Sequence, residues 1–391
     1  MTSGLSRASR FLDAASFLPE LLLDYALEET GSVLPWREGA EVPSLFAQRS
    51  LAFTFPANGG PAYVMWGIEG RPTLVDWSTY GNLRAGDVVW LRIEDLGTFV
   101  ERVLPTVREP FVLVTGESDY CVPGDFPEPS RIVGRHPLLA RWFTTNFDGT
   151  DLHDVVTPLP LGQNFRKKTE IRRFRTTWGV SLDFARRRSL AVQERSWADA
   201  VAGAAPVEAR IPKAFADFWL NDSSRARRYG ESRGDIHREL RDNPHVVFPP
   251  RPLSQTDLLA TYARHAFVVS PHGRGLDCYR TWEALLAGCI VIVKRSALAP
   301  LYEGLPVVIV DAWNDIDASA VASWIARFGR GFDRARLREV LSMGHWSAVI
   351  GAASERARQS WREGRPSVHR PDLPREPDIA RSSPPGTSGP T

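Results

Sequence analysis

Cysteine is nearly absent, with only Cys121, Cys278 and Cys289 in 391 residues. That excludes a disulfide-stapled scaffold, and the lack of any CxxC or CxxC…H spacing excludes a cysteine-based zinc module. A reducing compartment, the cytoplasm, is the expectation. Long apolar runs are missing as well. None approaches the roughly 18 residues of a membrane-spanning helix. The first residues, MTSGLSRASRFLDAASFLPELLLDYA, carry Arg7, Arg10, Asp13 and Glu20 and lack an uninterrupted apolar core, so they do not read as a signal peptide. Charge of one sign is scarce: 48 Lys and Arg oppose 46 Asp and Glu, a formal +2, which argues against nucleic acid as a partner. Lysine is rare, at positions 167, 168, 213 and 294 only, a skew toward arginine that says little about function. A full GxGxxG is missing too. HGRGLD (272–277) comes late and lacks the third Gly, which argues against a nicotinamide-dependent oxidoreductase.

What is present is an ordinary globular composition, 43% hydrophobic and 24% charged, in a chain long enough for two domains without staples. GDVVWLRI (86–93) reads as a strand, Glu94 and Asp95 as the start of a helix through Val103, and FVLVTGESD (111–119) as a second strand with a polar end. That order makes a βαβ unit and a parallel sheet. VVTPLPLG (155–162) reads as another strand, and GAAPVEARIP (203–212) as a linker. After it the alternation restarts: FADFWLND (215–222) and HVVFPP (245–250) are strand-like, and SQTDLLATYARH (254–265) is a helix capped by Ser254. AFVVSPHGRG (266–275) is a strand ending in a Gly-rich loop, and LDCYRTWEALLAG (276–288) is a helix stopped by Gly288. CIVIVK (289–294) and LPVVIVD (305–311) are buried strands, and 318–328 and 336–361 are helices. Seven prolines in the last 28 residues mark 364–391 as a disordered tail. The expected domains are 1–205 and 206–344, with the helix at 345–363 packing back on the first.

Residues 166–188 hold nine cations against Glu170 and Asp183. The stretch reads either as a solvated helix and loop surface or as a face attracting an anionic acceptor, such as a lipid-linked diphosphate glycan at a membrane surface. The loop 270–275 can bring its backbone close to a ligand through Gly273 and Gly275, and the following helix offers free N–H groups to a diphosphate. Arg280 and Glu283 share a helix face. A plain βα turn with a surface ion pair is the alternative. The one DxD, Asp315–Ile316–Asp317, precedes a helix and reads as N-capping.

SPHGRGLDCYRTWEALLAGCIVIVKRSALAPLYEGLPVVIV (270–310) resembles the C-terminal signature of exostosin-type glycosyltransferases (family 47). The shared features are the Ser-Pro-x-Gly turn, the Arg three residues before Glu-Ala-Leu, the Gly-Cys-Ile strand start, and the Leu-Pro strand followed by Trp313. VTGESDYCVP (114–123), RWFTTNFDG (141–149), PLPLGQNF (158–165) and FWLNDSSRARR (218–228) are similar to further segments of bacterial members. The resemblance spans roughly 110–345. It implies a GT-B fold, two Rossmann-like α/β domains with parallel sheets facing across a cleft. It implies an inverting glycosyltransferase that needs no metal or other cofactor and uses a nucleotide sugar, UDP- or GDP-linked, on a glycan, glycolipid or other hydroxyl acceptor, as in polysaccharide synthesis.

On this resemblance Ser270, Gly273, Arg274 and Gly275 form the phosphate cradle, Arg280 contacts the diphosphate, and Glu283 accepts from the ribose hydroxyls. The family's usual Arg after the proline is replaced by His272, so the phosphate-contacting charge is weaker, pH-dependent or carried by Arg274. Arg225 is a second diphosphate candidate. Asp119, with Glu117 beside it, is the candidate general base, turn-capping being the alternative. Asp148, His136 and His153 are lesser ones. Asn146, Asn164 and Trp142 are candidates for acceptor contact, with Trp66 a further sugar-stacking candidate. A non-catalytic sugar- or partner-binding relative is the competing reading. It would lack residues like Arg280 or Glu283, and both are present.

Overall fold

The structure is a computed structural model. It describes residues 45–46, 51, 63–64, 74–149, 151–164, 170–175, 181–186, 194–195, 197–199, 202–220, 232–250, 253, 255–329 and 334–364. Arg225, Trp66, the capping Ser254 and the tail expected beyond 364 lie outside these residues.

The architecture is α/β, built on two parallel sheets. The first has four strands in sequential order, β1 (Asp87–Arg92), β2 (Phe111–Gly116), β3 (Leu139–Thr144) and β4 (Val156–Pro158). Helix α1 (Leu96–Arg102) joins β1 to β2, and α2 (Pro127–Gly134) joins β2 to β3. All pairs are parallel, Val89 opposite Leu113 and Leu113 opposite Trp142. A parallel strand covered on both faces reads as an unbroken apolar run, and β2 is buried at every position.

Strands β5 (Glu170–Arg175) and β6 (Ser181–Arg186) form an antiparallel ladder with Arg173 opposite Asp183. This corrects the helix-and-loop reading of 166–188. Only five residues separate the strands, Gly179 among them, a length that favours a hairpin connection over a helical turn.

The second sheet has five parallel strands in the order β8-β7-β9-β10-β11. These are β7 (Ile211–Phe215), β8 (Val246–Val247), β9 (His265–Val269), β10 (Ile290–Lys294) and β11 (Val307–Val310). Helices α3 (Arg233–Leu240), α4 (Gln255–Arg264), α5 (Tyr279–Leu286) and α6 (Ala318–Phe328) connect or flank them. Strand β7 starts inside the expected linker and stops at Phe215, before most of the apolar run 215–220. Pro212 offers no N–H, and the β7–β9 register shifts between Ile211 and Ala214. Beyond the strand Trp219 and Leu220 are exposed.

The helix expected at 336–361 is two helices, α7 (Arg334–Val340) and α8 (Met343–Arg362). Ser342 breaks it: its hydroxyl accepts from the His345 N–H at 3.2 Å, and its backbone bridges to Leu45. The turn returns the chain to the first sheet. Met343, Trp346, Ile350 and Ala353 join the core that contains β1–β3. The Ser354 hydroxyl donates to Gly86 O at 2.5 Å. The DxD carboxylates cap backbone, Asp315 accepting from Ala312 N at 3.0 Å and Asp317 from Ala320 N at 2.8 Å. No described helix is long and apolar enough to cross a membrane.

Because α8 completes the first core, Ile350→Ala, at a fully buried position, is expected to cost about 2–5 kcal/mol in denaturant unfolding. Glu355→Gln, exposed on the same helix, is expected to change stability by less than about 0.5 kcal/mol.

Candidate functional site

The C-terminal ends of both sheets meet at one seam, the edge where open α/β sheets bind ligands. Strand β2 leads into Glu117, Ser118 and Asp119. Strand β3 leads into Thr145 and Asn146, and β9 leads into the loop 270–278 and then α5.

Two of these residues hold a backbone that side chains rarely adopt, Glu117 at φ 52° and Asn146 at φ 51°. Asn146 is buried, and its carboxamide is engaged at both ends. Its Nδ2 donates to Ser118 O at 2.9 Å, and its Oδ1 accepts from Asp277 N at 2.8 Å. The acceptor-contact reading of Asn146 therefore gives way to a structural one across the seam. Gly275 packs on the same amide, where a Cβ would lie 2.7–2.9 Å from its atoms, so the glycine is required by close approach.

Asp277 is the centre of this contact. Its Oδ2 accepts from Leu161 N at 2.8 Å and from Trp282 Nε1 at 2.7 Å, and its Oδ1 accepts from Cys278 N at 2.7 Å. Burial pushes its carboxyl up to about 6, against the opposing effect of those three donors.

On the second sheet's side of the seam the Ser270 and Thr281 hydroxyls pair at 2.9 Å. His272 Nδ1 lies 2.8 Å from Leu276 O, and since a carbonyl only accepts, Nδ1 carries the proton. Arg233, the first residue of α3, donates from Nε to His272 O at 2.9 Å and from a terminal nitrogen to Cys278 Sγ at 3.4 Å. Burial lowers its pKa, with neighbouring Arg280 acting in the same direction. Arg280 Nε donates to Asp217 Oδ1 at 2.6 Å, and the Tyr262 hydroxyl donates to Asp217 Oδ2 at 3.2 Å. Burial works against the Arg280 charge, but the pairing with Asp217 outweighs it and raises the pKa. Glu283, on the same helix α5, is buried.

Across the seam Arg274 and Asp119 approach to 3.9 Å, both about two-thirds exposed (66% and 63%), so this pair is solvent-screened and weak. The structure thus brings the cradle residues Ser270, Gly273, Arg274 and Gly275 and the helix residues Arg280 and Glu283 to the same end as Glu117 and Asp119. Trp142 is not among them. It is fully buried in the first core with its Nε1 on Thr115 Oγ1 at 2.9 Å, which removes it as a sugar platform. Asn164 is half-buried just past β4. Asp148 accepts from Gly124 N at 2.9 Å, and His136 and His153 pack on Phe111 and Phe147.

Three residues escape sequence reasoning. Asp217 sits inside the run FADFWL, where a charge flanked by apolar residues signals a buried pair. Asp277 follows the glycines and resembles a simple cap. Arg233 gives no signal. Buried polar atoms without partners also gather at this end, Thr145 Oγ1 just past β3 and both amide atoms of Gln163 past β4. Among the described residues no group of three or more His, Cys, Asp or Glu is placed to hold a metal ion.

No known family's profile fits this chain, and no characterised protein is significantly similar to it in sequence. Among solved structures it is similar to sucrose-phosphate synthase from Thermosynechococcus elongatus, with 12% identity and a TM-score of 0.30, over 71% of this chain and 73% of that one. It is also similar to the pneumococcal O-GlcNAc transferase GtfA, solved with UDP and GlcNAc, with 10% identity and a TM-score of 0.29. A chain of the GtfA/B complex gives 11% and 0.30. Both of these matches cover 78% of this chain and 65% of the other, so the chain spans just under two thirds of their length. Superpositions this loose transfer neither residue roles nor activity.

A raised carboxyl pKa in the folded state gives stability at low pH that is lost as pH rises. For Asp277 the window runs from its ordinary 3.8 to about 6. The titratable groups facing it are Cys278 and Tyr302, with Arg233 and Arg280 beyond Cys278. The unfolding free energy of the wild type minus that of Asp277→Asn is expected to fall by on the order of 3 kcal/mol between pH 4 and 7. Denaturant titrations at four pH values would measure it, and a flat difference would contradict the assignment.

Proposed function

We propose that the chain is an inverting glycosyltransferase that moves a sugar from a UDP- or GDP-linked donor to a hydroxyl of a glycan or glycolipid, without a metal ion. One observation carries the reading. Two parallel sheets meet at the C-terminal ends of their strands. A Gly-bearing loop and helix N-terminus flanked by Arg233 and Arg280 stand on one side, and the carboxylates Glu117 and Asp119 stand on the other. This arrangement suits the GT-B layout that the resemblance to exostosin-type enzymes implies.

In this reading the leaving diphosphate lies over the loop 270–275 and the start of α5, where free N–H groups and guanidinium groups meet developing charge. Arg233 is added to Arg274 and Arg280 as a source of that charge. Glu283, one turn along α5 from Arg280, accepts from the ribose hydroxyls, and its burial suits a carboxylate that meets its ligand inside a pocket. Asp119 or Glu117 takes the acceptor proton. The basic segment 166–188 draws an anionic, lipid-linked acceptor to the protein from the cytoplasmic side of a membrane.

Titration calorimetry with UDP, GDP, CMP and NAD, first in EDTA and then with Mg²⁺, tests the donor site. UDP or GDP is expected to bind equally well in both conditions. Dependence on Mg²⁺ would remove the metal-free mechanism, and silence for all four would remove the donor site. Glu283→Ala is expected to weaken nucleotide binding roughly 10- to 100-fold, the worth of hydrogen bonds to a charged group. Asp119→Asn should leave that binding intact and abolish transfer. Full activity in Asp119→Asn would move the base to Glu117.

A further inference from the structure

We propose that Asp277 and Asn146 are positioning residues. They weld the loops after β2, β3 and β4 to the donor-side loop, so that the two walls of the cleft are held in register as one preorganised site. The inference rests on the proposed function only for what that register serves.

The path is continuous. Ser118 O, between Glu117 and Asp119, is held by Asn146 Nδ2. Asn146 Oδ1 is held by Asp277 N, and Asp277 Oδ2 is held by Leu161 N, past β4. The same carboxylate fixes the start of α5 through Cys278 N and Trp282 Nε1. The candidate base loop and the helix that would face the leaving diphosphate are therefore linked through two side chains, both buried.

A local role for Asp277 as a cap of α5 accounts for the bonds from Cys278 and Trp282 only. The partners Leu161 and Asn146 are 116 and 131 residues away in sequence and lie in the loops that follow strands of the other sheet. Gly275 has no side chain where one would strike the Asn146 amide. Glu117 keeps a left-handed backbone, which in a residue of its type persists only where the surroundings over-determine it. Parting the sheets here would break both of these bonds and leave Asn146 Oδ1, Asp277 N and Leu161 N without their partners, so the seam is a weld rather than a hinge. Preorganisation of this kind matters for group transfer because small misplacements of reacting groups are costly in rate.

Hydrogen exchange by mass spectrometry on the full chain tests this with two variants entered from opposite sides. Asn146→Ala is expected to speed exchange in 275–286, and Asp277→Asn to speed it at Leu161 and in 116–120, by roughly 10- to 100-fold. Changes confined to the substituted residue's own side would overturn the proposal. If Asp277→Asn does not fold, Asn146→Ala decides.

A second readout separates positioning from stability. With UDP or GDP, whichever the wild type binds, Asn146→Ala should lower kcat for the matching nucleotide sugar by ~10-fold or more, several-fold beyond any loss of nucleotide affinity. Unchanged kcat, or equal loss of affinity and turnover, would also overturn it. A wild type that binds neither nucleotide defeats the proposed function instead, and the exchange result then decides the weld alone.

Discussion

One buried carboxylate sets the terms on which the two sheets meet. An ionised group taken out of water is costly unless hydrogen bonds replace those it loses. Asp277 answers that demand in part with three N–H groups, and one of them, Leu161, comes from the loop past β4 of the other sheet. All three are in place only when both sheets are, and burial still pushes the carboxyl up to about 6. The neighbouring features follow from this. Asn146 must reach over to the Asp277 backbone, Gly275 must be bare to let it pass, and Glu117 lies beside the Ser118 carbonyl that the amide takes up.

The second sheet's side of the seam handles buried charge differently. Asp217 is shared between Arg280 and Tyr262, so an ion pair and a phenol take the place that backbone donors take around Asp277. Breaking such a pair leaves an uncompensated charge in a medium that screens it poorly, so Arg280 is fixed through its Nε. Arg233 lies close enough to bear on the same charges, and both guanidinium groups act on the Cys278 thiol between them. Against these two cations stand the Asp217 carboxylate that pairs with Arg280 and the buried carboxyl groups of Asp277 and Glu283, so the cations here are held among acids rather than in excess of them.

The sheets were legible because parallel strands buried on both faces leave unbroken apolar runs such as VVWL, FVLV, FVV and CIVIV. The loop 270–275 was legible as a backbone that passes close to another group, because closely spaced glycines precede a helix, and the group that Gly275 meets is the Asn146 amide. Other features turn on details that composition does not carry. Strand β7 was hidden because Pro212 lies inside it, and a proline in a run argues against a strand. The last helix breaks at Ser342 because a serine there can cap as well as continue. Asn146 and Trp142 looked like ligand contacts by residue type, but residue type does not say which way a side chain faces. One faces the seam and the other the core. Asp217 did leave a trace, a lone acid in an apolar run, whose weight is clear only once Arg280 is seen against it.

The seam also bears on how a base could be held. Asp119 is exposed, and its pairing with Arg274 at 3.9 Å is too screened to fix its carboxylate by itself. Its position must come from the backbone of the turn that carries it. That turn is anchored at Ser118 by Asn146 and entered through the strained Glu117. A left-handed glutamate costs on the order of 1–3 kcal/mol and is retained only where the contacts around it outweigh that cost. The weld below supplies such contacts, so the strain at Glu117 and the placement of Asp119 have one source. An exposed carboxylate on a loop can then keep a defined position over the loop 270–278, because its order comes from the buried bonds of Asn146 and Asp277 beneath it.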